Sequence, residues 1–230
     1  MLIKLGKINI ENLLAKMKNL PASVKITEIS KYFLGIPYKK NSLIGSVSEK
    51  EQLIIDFEGV DCMTFIEYIE ALRSSNTYQS FIENLKYVRY LNGVVDFKKR
   101  RHFFTDWVNL KTVKNITAQL TRNYLTVKKQ LNKKDTGLWI DGLDPKTRII
   151  KYIPSEYIDK IISQLKSGDY CGFYTSQEGL DVTHVGILIV QKRSIKLRHA
   201  SSHKSFVVDD DFIEYSKQKE GIIIFRPKEI

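Results

Sequence analysis

The 230-residue chain carries 37 Lys and Arg against 26 Asp and Glu, a formal net charge of +11, with 43% hydrophobic residues and two cysteines. That apolar share is ample for a packed core, two cysteines are too few for a disulfide scaffold, and no apolar run is long enough to span a bilayer. Lys4, Lys7, Asn9 and Glu11 interrupt the N-terminal stretch, so it lacks the apolar region of an export signal; the expected location is the cytoplasm or export by a specialised route, and the periplasm if a signal precedes this sequence.

In chain order, apolar spacing predicts helices over residues 10–20 and 23–34, the second stopping at Gly35. A loop with Pro37, Tyr38, Asn41 and Ser42 leads to a helix that begins at Cys62, and another helix covers residues 78–90 before the turn Asn92-Gly93. Residues 92–150 mix short strand-like runs with lysines and read as an insertion into one catalytic domain spanning 1–230. Ser155 is placed to cap a helix running to about Leu165. Beyond Gly168 the pattern turns to strands at 170–175, 184–190, 195–200, 206–208 and 222–225, with a helix over 210–219. Helices first and an antiparallel sheet second is the α+β class.

Cys62 follows Gly59-Val60-Asp61 and opens an amphipathic helix with Phe65, Ile66, Ile69 and Leu72 on one face, which turns the sulfur inward. Unpaired amides and the positive end of the helix dipole at such a position are expected to lower a thiol pKa and to hold an oxyanion. A packed core cysteine has the same local pattern. Glu67 and Glu70 read as acidic residues that suit the dipole, Cys171 as core and His203 as a loop residue.

Two histidines bear on the choice. If Gln191 to Ser194 form a four-residue loop, Val190 pairs with Ile195, Gly186 lies opposite His199, and His184 is the diagonal neighbour of His199. Diagonal positions share a face at roughly 7–8 Å, within reach of both rings, and Gly186 leaves room for the second. A one-residue slip would separate them. With Cys62 they make a nucleophile, a base and a residue that orients the base.

The series Gly35-Ile36-Pro37-Tyr38, Asp61-Cys62, Gly168-Asp169, Thr183-His184-Val185-Gly186-Ile187 and Arg198-His199-Ala200 resembles, in order, the motifs of the NlpC/P60 papain-like cysteine peptidases. Phe33-Leu34-Gly35, Glu51-Gln52-Leu53, Asp61-Cys62-Met63-Thr64-Phe65-Ile66-Glu67, Arg101-His102-Phe103-Phe104-Thr105-Asp106-Trp107 and Gly179-Leu180-Asp181-Val182-Thr183-His184-Val185-Gly186 look like the DUF1460 branch of that clan. Met63-Thr64 stands where the clan has Ser-Gly, in keeping with that branch. The resemblance implies a papain-like fold with the nucleophile helix packed on a C-terminal antiparallel sheet. It implies an N-acetylmuramoyl-L-alanine amidase acting on cell-wall fragments, with Cys62 as nucleophile, His184 as general base and acid, His199 orienting His184, and Tyr38 lining the site.

Residues 92–150 would then form one wall of the substrate groove, with His102, Asp106 and Trp107 as its candidate contacts. A structural turn in which His102 and Asp106 satisfy backbone groups stands beside that reading. No cofactor or metal is expected, and the partners expected are muropeptides, with the chain acting as a monomer. Alternatives within the clan are a γ-D-glutamyl stem-peptide endopeptidase and a thiol acyltransferase. Outside it stand a zinc site from Cys62, Cys171, His184 and His199, which lacks close-spaced ligand pairs, and a basic nucleic-acid module built on Lys98-Lys99-Arg100-Arg101.

Overall fold

A computed structural model describes residues 1–229. The N-terminal half is β1 (Leu2–Lys4), α1 (Ile10–Met17), α2 (Ala22–Lys31), β2 (Ile54–Asp56), α3 (Cys62–Arg73) and α4 (Tyr78–Arg89). The C-terminal half is β3 (Val113–Asn115), α5 (Thr117–Leu120), β4 (Leu125–Leu131), β5 (Lys133–Lys134), β6 (Gly137–Leu138), β7 (Lys146–Pro154), β8 (Tyr170–Tyr174), β9 (Val182–Val190), β10 (Ile195–Ser201), β11 (Phe206–Asp211), α6 (Phe212–Lys217) and β12 (Gly221–Pro227). This is the mixed α+β arrangement, helices leading and an antiparallel sheet following, of the papain-like NlpC/P60 architecture.

The main sheet has eight strands in the order β11, β10, β9, β8, β12, β7, β4, with β3 added to β12. Its two faces are read off the pleat, because successive side chains point to opposite sides. Tyr170, Tyr174, Val185, Ile187, Ile189, Ile223 and Phe225 join the core formed with α1 to α4. Cys171, Phe173, Leu188, Leu197, Ile222 and Ile224 face the second core, which Leu120 of α5, Phe212 of α6 and Ile158 and Ile161 cover.

The start of α3 is held by a reciprocal cap: Asp61 Oδ1 accepts from the Thr64 N–H at 2.8 Å, and Thr64 Oγ1 accepts from the Asp61 N–H at 2.9 Å. From Thr64 onward every residue of α3 is buried, so its polar residues need internal partners. Glu67 pairs with Arg89 at 2.6 Å, and Glu70 pairs with Arg73 while accepting from the Tyr170 hydroxyl at 2.8 Å. Glu67 and Glu70 are therefore structural, and they act through buried charge pairs rather than through the helix dipole that the sequence suggests.

Two other expectations change. The helix expected from Ser155 is a pair of short 3-10 turns, Ser155–Lys160 and Ile162–Gln164, because the Ser155 hydroxyl donates to the carbonyls of Ser216 and Lys219 instead of capping. The last helix begins two residues later than predicted, at Phe212, with Asp211 as its cap, and β11 runs on through Asp211. No helix among the described residues is long and apolar enough to cross a membrane.

Candidate active site

The hairpin register is the one the loop length predicts. Val190 pairs with Ile195 and Ile187 with Arg198, which puts Gly186 opposite His199. An added Cβ on Gly186 would stand 3.0 Å from His199 Cβ, 2.9 Å from the Arg198 carbonyl oxygen and 2.7 Å from Leu197 Cδ1, so the bare glycine is what admits the second imidazole. His184 Nε2 and His199 Nδ1 are hydrogen-bonded at 2.7 Å, with the rings edge to face at 4.8 Å between centroids. Tyr215 of α6 closes this cluster, its ring 6.0 Å from that of His184 and 5.2 Å from that of His199.

Cys62 reaches the same end of the sheet from the opposite face, where α3 packs. The β9–β10 pairing stops at Ile187 and Arg198, and the backbone N–H of Val185, beyond that last pair, points to the Cys62 sulfur. The N–H groups of Met63 and Cys62 itself, at the helix start, act on the sulfur as well. Tyr38 is tied into this corner by a bridge to Val60 and by its N–H, which donates to the Ser205 carbonyl at 2.8 Å. Its phenol pKa is raised, by burial first and then by the proximity of Cys62 and Asp61.

The expectation of a low-pKa thiol is overturned. Burial, and then the Asp61 carboxylate, push the Cys62 thiol up to about 12, and the three amide donors offset only part of this. His184 moves the opposite way, to about 3, through burial and then the neighbouring His199, Lys219 and His203. The resting site thus holds a neutral thiol beside a neutral imidazole. Among the described residues no hydrogen bond joins the two, because the pleat turns His184 onto the α6 face, where His199 holds its Nε2.

The candidate wall residues divide. His102 and Asp106 line a cavity of about 130 Å³ together with Lys98, Gly142 and Lys146. Both also serve backbone groups, His102 Nε2 donating to the Phe97 carbonyl at 2.8 Å and Asp106 Oδ2 accepting from the Phe103 N–H at 3.1 Å. Trp107 is corrected from wall to core: it is fully buried, its ring 5.1 Å from that of Tyr170 and 5.9 Å from that of Phe104. Cys171 is buried and unbridged, as is Cys62 unbridged, and His203 is exposed. Among the described residues no group of three His, Cys, Asp or Glu is arranged to hold a metal ion.

Sequence reasoning missed three contributors. Asp210 and Tyr215 reach the cluster from positions that no motif marks, and the Val185 amide acts through its backbone from within the His184 motif. Reading β11 as a full strand paired with β10 would have shown Asp210.

A family described as N-acetylmuramoyl-L-alanine amidase-like, AmiA-like, matches residues 28–222. The chain belongs to this family, the DUF1460 branch of the NlpC/P60-like enzymes. Membership supports a peptidoglycan-amidase-like hydrolytic function in general. The fold is shared with a Legionella pneumophila protein carrying the DUF1460 family model, at 23% identity, a TM-score of 0.82 and coverage of 96% of this chain and 94% of that one. An N-acetylmuramoyl-L-alanine amidase from Bacteroides uniformis has a TM-score of 0.76 at 23% identity, covering 90% of this AmiA-like chain and 99% of its own. No curated protein matches the sequence.

Proposed function

We propose that this AmiA-like chain is a cysteine-dependent amidase that hydrolyses the N-acetylmuramoyl-L-alanine bond of peptidoglycan fragments. The observation that carries the reading is the meeting of a helix-start thiol with the β9 backbone at Val185, next to His184, whose far nitrogen is tied to His199. Cys62 is the nucleophile, His184 the base and then the acid, and His199 the residue that orients His184. The solved amidase of the same fold gives the bond its first candidate.

The chemistry follows from two neutral groups. A thiol at about 12 and an imidazole at about 3 do not exchange a proton while apart. Transfer of the thiol proton to His184 Nδ1, the ring nitrogen that His199 leaves free, lets thiolate and imidazolium form together, each stabilising the other, as the thiolate attacks the lactyl carbonyl. The amides of the α3 start hold the oxyanion. His184 gives its proton to the amine of L-alanine as the C–N bond breaks, and as a neutral base it then takes a proton from the water that hydrolyses the thioester. His102 and Asp106 line a cavity of mixed charge, Lys98 and Lys146 standing with Asp106 and Asp144, and its two ammonium groups would be the ones to meet stem-peptide carboxylates.

The test is mass spectrometry of muropeptides incubated with the wild type and with Cys62→Ala. The expected result is an intact stem peptide beginning at L-alanine, absent with the variant. Cysteine-dependent cleavage inside the stem would replace the bond with a γ-D-glutamyl one and keep the nucleophile.

A further inference from the structure

Three neighbouring strands carry a diagonal line of polar residues on one face of the sheet. On β10, His199 pairs with Val208 of β11 and Leu197 with Asp210, so Asp210 is one diagonal step from His199 on one side as His184 is on the other. His184 Nε2 lies 2.7 Å from His199 Nδ1, and His199 Nε2 lies 3.1 Å from Asp210 Oδ2. The neighbours of Asp210 are engaged elsewhere. Asp209 pairs with Arg198 on the opposite face, and Asp211 accepts from the Glu214 N–H at the start of α6.

A chain of this kind has one consistent set of protons. An ionised carboxylate can only accept, so the proton between His199 and Asp210 resides on His199 Nε2. His199 Nδ1 is then a lone pair, and the 2.7 Å contact requires His184 Nε2 to donate. His184 is left with a bare Nδ1. The opposite set would aim a lone pair of His199 at the carboxylate. Partial burial opposes ionisation of Asp210, but hydrogen bonds from Lys204 and His199 outweigh it and hold the carboxyl below its ordinary range.

We propose that Asp210 is a positioning residue that acts through His199 to fix the tautomer of His184, making His184 Nδ1 the atom that takes the Cys62 proton. The tautomer chain stands on the hydrogen-bond geometry together with an ionised Asp210; its use in catalysis rests on the amidase reading. Lys204 is part of the device, since its ammonium sits on Asp210 Oδ1 and decides which way an amide at position 210 would turn.

The experiment is nitrogen-15 NMR of the imidazole rings, with Cys62 alkylation and muropeptide turnover measured on the same proteins. In the wild type both His184 and His199 are expected to carry the proton on Nε2. In Asp210→Asn, Lys204 holds the amide oxygen and turns the NH2 toward His199 Nε2, which reverses both tautomers. Turnover is then expected to fall on the order of ten- to a hundredfold in kcat, with KM unchanged. Adding Lys204→Met to Asp210→Asn frees the amide to flip, and is expected to restore the tautomers and about tenfold of the lost kcat. A merely structural aspartate would show no such recovery on losing a second charge.

A wild-type His184 protonated on Nδ1 overturns the proposal, as do unchanged tautomers in Asp210→Asn. If the tautomers reverse and recover as expected but the wild type releases no stem peptide, the amidase reading fails while the positioning role stands.

Discussion

Gly186 and His199 face each other across the β9–β10 hairpin so closely that a methyl group on the glycine would lie 3.0 Å from the Cβ of the histidine. The other obstacles to that methyl are the Arg198 carbonyl and Leu197, one backbone and one packed in the core, neither free to move aside. Gly186→Ala is expected to cost about 1–3 kcal/mol by overpacking and to break the His184–His199 hydrogen bond. Urea denaturation reads the first effect and imidazole NMR the second; a variant with wild-type stability and an intact pair would show that the hairpin accommodates the methyl.

Cys62 is expected to be a thiol, not a thiolate, in the unliganded protein at neutral pH, since burial and Asp61 raise its pKa to about 12. The ultraviolet thiolate band should be missing at pH 7, and iodoacetamide should react more slowly than with an exposed cysteine. Asp61→Asn keeps a capping side chain on the Thr64 N–H and removes the charge, so alkylation should speed up with little change in stability. The pH dependence of the alkylation rate measures the shift directly.

Acid should destabilise the protein through its histidines. The folded-state pKa of His184 is depressed from an ordinary 6.5 to about 3, while the unfolded chain takes up its proton near the ordinary value. The stability this contributes is therefore complete above about pH 6.5 and is lost as pH falls toward 3. His102 and His199 are shifted in the same direction, burial being the main cause for each. Denaturation free energies at several pH values in that window, compared with His184→Asn, should show a shallower loss in the variant.

The Glu70–Arg73 pair is completely buried, and Glu70 also accepts from the Tyr170 hydroxyl. Removing the carboxylate by Glu70→Ala leaves the guanidinium without its counter-charge in the core and should cost about 3–5 kcal/mol. Tyr170→Phe removes one hydrogen bond and should cost about 1–2 kcal/mol. Equal losses for the two variants in thermal or chemical unfolding would contradict this ranking.

Trp107→Ala tests the assignment of this residue to the core. The expected loss is about 3–5 kcal/mol of stability, from a cavity between Tyr170 and Phe104. The folded fraction should keep its KM for muropeptides. A raised KM at near-normal stability would return Trp107 to the groove wall.

What was legible in the sequence was whatever a short stretch encodes. The start of α3 follows from Gly59-Val60-Asp61 leading into the apolar spacing of Phe65, Ile66, Ile69 and Leu72, and the hairpin register from a four-residue loop between apolar strands. The reach of His184 to His199 followed from that register, because a period of two admits no ambiguity once the loop is known. Residues 92–150 were opaque because their strands pair across long separations: β3 joins β12, and β7 lies between β12 and β4. Asp210 was hidden in a run of three aspartates, which no local pattern could tell apart. Cys62 was misjudged in its acidity because a helix dipole is a local property and desolvation is not.

By itself, then, the order of residues determined the class of the fold, the helix that carries the thiol and the strand register that joins two histidines, since each depends on periodicity, caps and turn length within a few residues. Only the tertiary structure decided that Trp107 and Glu70 lie inside, that the thiol rests protonated, and that Asp210 rather than Asp209 or Asp211 meets His199. Those outcomes turn on burial and pairing between elements far apart in the chain, and water exclusion is a property of the assembled core.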